Sequence, residues 1–330
     1  MRLWTAATCV ALFAGSLLSA EEADSRNSGT RPAVRGAARS NNDAELLKGA
    51  TSHVYKSVNG TELKLYVFQP EGHQATDRRP AIVFFFGGGW KNGSPTQFAS
   101  QSRYLASRGM VAIVADYRVK SRNDSTVEQS VADAKSAIRW VRSHSGELGI
   151  DANRIAAGGG SAGGHLAGIT GTLEGGDQPG EDTSVSSRPD AMVMFNPALV
   201  LPSLEDLKKN GDPKDLTSRF SGDPAAVSPA SHVKPGMPPA IIFHGKADNT
   251  VAYATAEQFT NLAVKAGNRC ELCGYEGQGH GFFNWYRPGK EYFVKTLEKT
   301  DEFLASLGWL EGSPRVREFF ARELAGSREK

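Results

Sequence analysis

The sequence predicts an α/β fold in which helices cover both faces of a mostly parallel sheet. Three observations predict it: short, continuously apolar runs recur along the chain, helical patterns separate them, and the two alternate over most of its length. Continuously apolar runs are typical of strands that are buried on both faces. Because right-handed crossovers join parallel strands through helices, this alternation favours parallel pairing.

The expected elements follow in chain order. Two edge strands at His53–Ser57 and Leu63–Phe68 are expected to pair antiparallel, the second because its polar and apolar residues alternate. Buried strands are expected at Ala81–Phe86, Val111–Ala115, Ile155–Ala157, Ala191–Phe195 and Ala240–Phe243, and a last strand ends near Tyr275. Helices are expected at Gln97–Arg108, Val127–Ser143, Ala162–Leu173, Ala252–Ala266 and Glu291–Leu307.

Size and charge restrict the class of protein. The chain has 330 residues, 39% of them hydrophobic, which is enough for a sizeable core in one large or two small domains. Lys and Arg number 38 against 36 Asp and Glu. We therefore expect binding neither to nucleic acid nor to an anionic membrane surface. The oligomeric state cannot be read from the sequence.

The N-terminus has the layout of a secretory signal peptide. Arg2 precedes the apolar stretch Leu3–Leu18, and small residues then lead to Ala20. A transmembrane anchor is the weaker alternative, because the stretch is shorter than the roughly 20 apolar residues that span a bilayer. We expect cleavage after Ala20 and a secreted or periplasmic protein without stable membrane insertion.

The rest of the chain divides by composition. Residues 21–50 are expected to form a flexible leader, because they hold few large apolar side chains. The folded domain is expected over 51–312, with a small Pro-rich insertion at 202–239 over the sheet's C-terminal edge. The tail, 313–330, is expected to dock as a helix through the helically spaced side chains of Val316, Phe319, Phe320 and Leu324.

Two cysteines remain if the signal peptide is removed. Cys270 and Cys273 lie three apart on the last expected strand, so their side chains should face opposite sides of the sheet. Two free thiols are favoured, and a disulfide is the weaker alternative.

The strongest chemical signal is the pattern Gly159-x-Ser161-x-Gly163. It follows a buried strand and precedes a helical pattern, the setting of a nucleophile elbow, in which glycines permit a sharp turn and the serine hydroxyl is exposed above the sheet. A Gly-rich turn without chemistry and a phosphate cradle are the alternatives. No Gly-Lys-Ser/Thr sequence follows to support the cradle. Ser161 is therefore the candidate nucleophile.

A serine hydroxyl needs a base that is itself oriented by a carboxylate. His280, in a glycine-rich loop after the last strand, is the best candidate for the base, whereas His165 and His244 lie where structural roles are more common. Asp248 follows the strand Ala240–Phe243 and precedes a helix, and its alternative role is a helix cap. The order serine, acid, histidine favours catalysis.

A glycine-rich loop follows the first long central strand. Its N–H groups, at Gly87 and Gly88, and that of Ala162 are candidate oxyanion donors, although a loop that only reverses the chain remains possible. Trp90 and Phe282 are candidate substrate contacts, with further aromatic residues nearby at Phe283, Trp285 and Tyr286. Buried packing is an equal alternative for these rings.

The ordered motifs resemble the esterase/lipase branch of the α/β-hydrolases over about residues 50 to 310. The group that holds bacterial acetylxylan and feruloyl esterases and hormone-sensitive-lipase-like carboxylesterases is the most similar. The residues that carry the resemblance are Gly87–Trp90, Asp116–Arg118, Ala137–Arg142, Leu148–Asp151 with Arg154 and Ile155, Gly160–Ala167, His244–Asp248 and Gly279–Phe282.

The resemblance implies a serine carboxylesterase that works through an acyl-enzyme, without a metal or organic cofactor. The resemblance does not specify the substrate. Export and the aromatic residues beside the oxyanion and histidine loops favour acylated polysaccharide fragments, with removal of acetyl before feruloyl groups, and a short-chain lipid-like ester is the alternative. One residue departs from the family pattern: Phe86 stands where the family's loop usually begins with histidine. The alternative function is therefore a catalytically silent binding protein that has kept the fold.

Overall fold

The computed structural model describes residues 43–212, 215–288 and 290–325. The predicted signal peptide and most of the expected leader lie outside these ranges. Among the residues that are described, no helix is long and apolar enough to cross a membrane.

The described chain forms one sheet of eight strands in the order β1-β2-β4-β3-β5-β6-β7-β8. The strands are β1 (Thr51–Val58), β2 (Thr61–Phe68), β3 (Arg79–Phe85), β4 (Val111–Ala115), β5 (Ile150–Gly160), β6 (Ala191–Phe195), β7 (Ala240–Gly245) and β8 (Cys270–Tyr275). The first two strands pair antiparallel, β2 pairs antiparallel with β4, and every other pair is parallel. The predicted α/β fold, with its antiparallel edge, is confirmed.

Helices cover both faces of this sheet. They are α1 (residues 43–46), α2 (Ala99–Ser107), α3 (Lys120–Asn123), α4 (Val127–Ser143), α5 (Ala162–Thr172), α6 (Leu204–Asn210), α7 (Tyr253–Lys265), α8 (Glu291–Ser306), α9 (Val316–Phe319) and α10 (Ala321–Ala325). Alternate residues of β3 belong to different cores: Ala81, Val83 and Phe85 to one, Ile82 and Phe84 to the other. This alternation explains why the central strands are continuously apolar.

Local capping explains where two helices begin. Helix α4 starts as predicted because Thr126 and Gln129 form a capping box. Helix α2 starts later than predicted, at Ala99, because residues Pro95–Phe98 form a 3₁₀ turn in which the Ser94 hydroxyl accepts a hydrogen bond from the Thr96 N–H. Gln97 is thereby placed in this turn and not in the helix.

The two ends of the described chain contact the body of the fold. Asp43 accepts a hydrogen bond from Ser94, and the Arg103 guanidinium donates to the Leu46 carbonyl at 2.5 Å, so residues 43–50 lie against the domain. At the other end the expected single helix is interrupted at Phe320, which is buried together with Val316. Phe319 is instead 40% exposed.

The Pro-rich insertion, expected at 202–239, contains α6 and three 3₁₀ turns at Thr217–Arg219, Pro224–Val227 and Pro229–His232. The Glu128 carboxylate, on α4, accepts hydrogen bonds from the Ser221 and Gly222 N–H groups at 3.0 Å. Leu207 and Phe220 of the insertion are buried. The described part of the insertion is therefore packed onto the domain at these residues.

The carboxyl ends of parallel strands meet at one edge of the sheet, where ligands bind in open α/β folds. The loops that follow β3, β5, β6, β7 and β8 all leave this edge. The candidate residues lie on these loops: Gly87 and Gly88 after β3, Ser161 after β5, Asp248 after β7 and His280 after β8.

Candidate active site

Ser161 occupies the sharp turn between β5 and α5. Its φ of 54° is in the left-handed region, which costs a non-glycine residue on the order of 1–3 kcal/mol. The Ser161 N–H donates to the Phe195 carbonyl at 2.9 Å and helps to hold the turn. The flanking glycines are required by close packing, since a Cβ on Gly163 would lie 2.0 Å from the Phe85 carbonyl oxygen. The turn thus has the geometry of a nucleophile elbow.

Ser161, His280 and Asp248 form a continuous hydrogen-bonded chain. The His280 Nε2 atom lies 2.9 Å from the Ser161 Oγ atom, and His280 Nδ1 lies 2.7 Å from Asp248 Oδ2. The other carboxylate oxygen of Asp248 accepts from the Thr250 and Val251 N–H groups at 2.8 and 2.9 Å. Since the carboxylate only accepts, Nδ1 carries the proton and Nε2 can receive one from the serine.

Asp248 has a second histidine partner. His244 Nε2 lies 3.3 Å from the carboxylate and 2.8 Å from the Val251 carbonyl oxygen. Burial alone would raise the pKa of Asp248. Hydrogen bonds from His244, His280 and the Val251 N–H outweigh burial and hold the pKa of this carboxyl well below its usual range. The carboxylate therefore remains ionised across the neutral and mildly acidic range.

Two residues of the glycine loop after β3, Gly88 and Gly89, are candidate oxyanion donors. The Gly87 N–H already donates to the Gln97 Oε1 atom at 2.6 Å. Within the described part of the chain, no hydrogen bond is formed by the N–H groups of Gly88 and Gly89, and both residues line a cavity with Ser161. The sequence did not indicate Gly89 as a candidate donor, because the direction of each N–H depends on the backbone angles of the loop, and φ at Gly88 is +132°.

A third N–H group comes from the helix that follows the serine. Ala162 is the first residue of α5, so its N–H has no partner within the helix. The positive end of the helix dipole also lies here, and it favours negative charge. Ala162 therefore lies where the sequence predicts an oxyanion donor.

Phe86, at the start of the glycine loop, is fully buried. Its ring stacks on the Tyr117 ring with centroids 4.1 Å apart, and the Tyr117 hydroxyl donates to the Phe86 carbonyl at 2.7 Å. Tyr117 thus holds the first residue of the loop through the main chain. Sequence reasoning missed this residue, although it lies in one of the motifs that carry the resemblance.

Asn196, directly after β6, also belongs to the site and was not predicted. It is buried with a φ of 34°, and its Oδ1 accepts from the Gly281 N–H at 3.0 Å. Its Nδ2 lies 3.5 Å from His280 Nε2. Asn196 therefore ties the histidine loop to the central sheet.

Two cavities meet at Ser161. The first, called the open cavity, measures about 390 Å³, and its lining includes the polar side chains of Gln97, His280, Asn284, Tyr286 and Arg287. The second, called the apolar cavity, measures about 360 Å³ and is lined mainly by apolar side chains from the insertion and nearby loops, among them Trp90, Ala198, Leu201, Leu207 and Leu216.

The predicted substrate contacts differ in position. Trp90 lines the apolar cavity and is 5% exposed. Phe282 is equally buried in the core and borders a separate pocket that His280 also lines. Phe283 and Trp285 also pack inward, although Phe283 borders the open cavity, where Tyr286 is 73% exposed. Packing therefore accounts for most of this aromatic group.

Known proteins resemble the chain in sequence. The family model for BD-FAE matches residues 65–262, and that for the Dienelactone hydrolase family matches residues 214–311. Esterase LipC of Mycobacterium tuberculosis is 30% identical over 63% of this chain and 54% of that protein. The probable isoprenylcysteine alpha-carbonyl methylesterase ICMEL1 of Arabidopsis thaliana is 27% identical over 69% of this chain and 50% of that protein. The chain spans about half the length of these curated relatives.

Solved structures resemble the chain over a larger share of their length. Thermogutta terrifontis esterase 2 phosphoramylated by tabun is 50% identical, with a TM-score of 0.76, over 81% of this chain and 98% of that chain. The butyrate-bound structure of the esterase from the same species is 51% identical, with a TM-score of 0.76, over 81% of this chain and 98% of that one.

Proposed function

We propose, from the premise that the chain belongs to the BD-FAE family within the esterase/lipase branch of the α/β-hydrolases, that it is an exported serine carboxylesterase. The observation that carries the proposal is the hydrogen-bonded chain from Asp248 through His280 to Ser161, beside a glycine loop that lines the same cavity. A binding protein has no need of all these groups together.

The reaction proceeds by acyl transfer. His280 takes the proton from the Ser161 hydroxyl while the Oγ atom attacks the ester carbonyl carbon, and Asp248 stabilises the imidazolium that forms. The carbonyl oxygen, now negative, accepts hydrogen bonds from the N–H groups of Gly88, Gly89 and Ala162. His280 then gives the proton to the departing alcohol oxygen, and water, activated in the same way, releases the acid.

The two cavities receive the two halves of the ester. Because His280 must protonate the leaving oxygen, the alcohol lies in the open cavity, which His280 lines. The acyl group then extends into the apolar cavity, which reaches Ser161 from the side of Ala162 and Trp90. Apolar walls favour the burial of a hydrocarbon chain.

The apolar cavity is larger than the methyl group of an acetyl ester requires. Its volume, about 360 Å³, accommodates acyl chains longer than acetyl as well as acetyl itself. Similarity to a structure that binds butyrate supports this range. We therefore propose short and medium acyl groups, with acetyl at the lower limit.

The alcohol half is proposed to be polar and sugar-like. The open cavity presents the guanidinium of Arg287, which can donate hydrogen bonds to hydroxyl groups, and the exposed ring of Tyr286, on which a sugar can stack. Export, proposed from the pattern at residues 1–20, places acylated polysaccharide fragments within reach.

Kinetics on a series of esters tests this function. The kcat/KM values of p-nitrophenyl acetate, butyrate and octanoate would be measured beside acetate release from acetylated xylo-oligosaccharides. Hydrolysis of the acetate and butyrate esters is expected, together with its loss in Ser161→Ala. An unreactive chain, or wild-type turnover in Ser161→Ala, would refute the proposal, and a failure on the oligosaccharides alone would refute the sugar alcohol.

A further inference from the structure

The glycine loop is held by a side chain from the 3₁₀ turn before α2. The Gly87 N–H donates to Gln97 Oε1 at 2.6 Å, one of the short side-chain contacts at the site. The peptide unit that carries this N–H precedes Gly88. Fixing this unit therefore limits the directions in which the next N–H groups of the loop can point.

The same glutamine reaches the histidine loop. Gln97 Nε2 donates to Asn284 Oδ1 at 2.9 Å, across 187 positions of sequence. Asn284 Nδ2 in turn donates to the Gly281 carbonyl at 2.8 Å. Gly281 directly follows His280, so the chain of hydrogen bonds ends one residue from the catalytic base.

The two fixed ends determine the orientation of both amides. Since the Gly87 N–H can only donate and the Gly281 carbonyl can only accept, Gln97 must present its oxygen to one and Asn284 its NH₂ group to the other. Each amide therefore has one orientation, in which its oxygen accepts a hydrogen bond and its NH₂ group donates one. Asn284 is 2% exposed, so water does not readily replace its partners.

We propose that Gln97 and Asn284 are positioning residues that fix the glycine loop and the histidine loop relative to each other. The inference rests on the proposed esterase function, because it assigns these two loops to one reaction. Neither amide takes a proton in the reaction. Their effect is to keep the N–H donors and His280 in place around Ser161, where a displacement of about 1 Å can cost on the order of 10²-fold in rate.

Variants that keep volume but lose the hydrogen bonds test the inference. Gln97→Met and Asn284→Leu, alone and together, would be assayed with p-nitrophenyl acetate and by thermal unfolding. The matched controls are Gln258→Met and Asn261→Leu on α7, where both side chains are exposed and line neither cavity at Ser161. Each single variant is expected to lower kcat roughly 10- to 100-fold while KM changes less than about threefold. The controls should match the wild type.

The double variant distinguishes one relay from two separate contacts. If the amides act as one chain, breaking it at either residue removes the whole effect, so the double variant loses no more than the worse single variant. Additive losses, a rise in KM at unchanged kcat, or a lower Tm with wild-type kcat would overturn the inference. An unreactive wild type would instead refute the esterase function.

A shorter amide keeps the test decisive if an apolar variant does not fold. Gln97→Asn retains the same groups but is one methylene too short to span from Gly87 to Asn284. It is expected to fold and to show the same fall in kcat. Wild-type kcat in Gln97→Asn would overturn the inference.

Discussion

The Nε2 atom of His280 lies 2.9 Å from the Oγ atom of Ser161, although the two residues are 119 positions apart. Parallel strands bring them together, because the loops after β5 and β8 leave the same edge of the sheet. Asp248, on the loop after β7, completes the hydrogen-bonded chain.

Asp248→Asn and His280→Ala are each expected to lower the kcat of p-nitrophenyl acetate hydrolysis by at least about 10³-fold, because the three residues act as a unit. Combining either change with Ser161→Ala should add little further loss. Steady-state kinetics of the single and double variants would measure this. Losses that multiply would show that the residues do not share one function.

Phe86→His is expected to change the rate less than the roughly 10²-fold or more that follows the loss of an oxyanion donor. The reason is that Tyr117 holds the Phe86 carbonyl, a main-chain contact that the substitution retains. Comparison of the two proteins on p-nitrophenyl acetate checks this. A silent wild type beside an active histidine variant would contradict the account of the loop.

His165 makes stability depend on pH. Burial lowers its pKa from about 6.5 to about 4, despite the hydrogen bond to the Val227 carbonyl and the nearby charge of Glu128. Between these pH values the unfolded chain binds the proton and the folded chain does not, so the free energy of unfolding falls as pH falls through this range, by up to about 3 kcal/mol.

His165→Gln tests this dependence, because glutamine can still donate to the Val227 carbonyl but does not titrate. Urea unfolding at pH 7 and pH 4.5 would be compared for the two proteins. The wild type should lose more stability than His165→Gln on acidification. Equal losses would show that His165 is not the group responsible.

Ala198 lines the apolar cavity next to Ser161. Ala198→Leu should narrow the cavity and lower kcat/KM for p-nitrophenyl octanoate by about tenfold or more. This factor corresponds to the roughly 1–3 kcal/mol that overpacking typically costs. Acetate turnover in the same variant is the internal control and should change little. Octanoate hydrolysis at the wild-type rate, or an equal fall for both esters, would contradict the position of the acyl chain in the apolar cavity.

Much of the fold was predictable because apolar runs report burial directly. Helix α4 occupies Val127–Ser143 as predicted, and β4 and β6 also have the predicted bounds. The start of α2 differed because a proline-initiated 3₁₀ turn precedes it. The C-terminal helix differed because packing buries Phe320 and leaves Phe319 exposed, which a periodic pattern does not distinguish.

The candidate site was less fully predictable. A serine between glycines, after a strand, carries its own local signal, as Ser161 does. Gln97, Asn196 and Asn284 carry none, because their roles arise from partners that only the tertiary structure supplies. For the same reason the sequence indicated Gly87 as an oxyanion donor, whereas its N–H is occupied by Gln97.

Labelling with a fluorophosphonate probe, followed by peptide mass spectrometry, tests the central claim most directly. A similar esterase is phosphoramylated by tabun, and the same chemistry is expected here. The account predicts one phosphonyl group on Ser161 of the wild type and none on Ser161→Ala. A wild type that stays unlabelled, or a label on another residue that persists in Ser161→Ala, would contradict it.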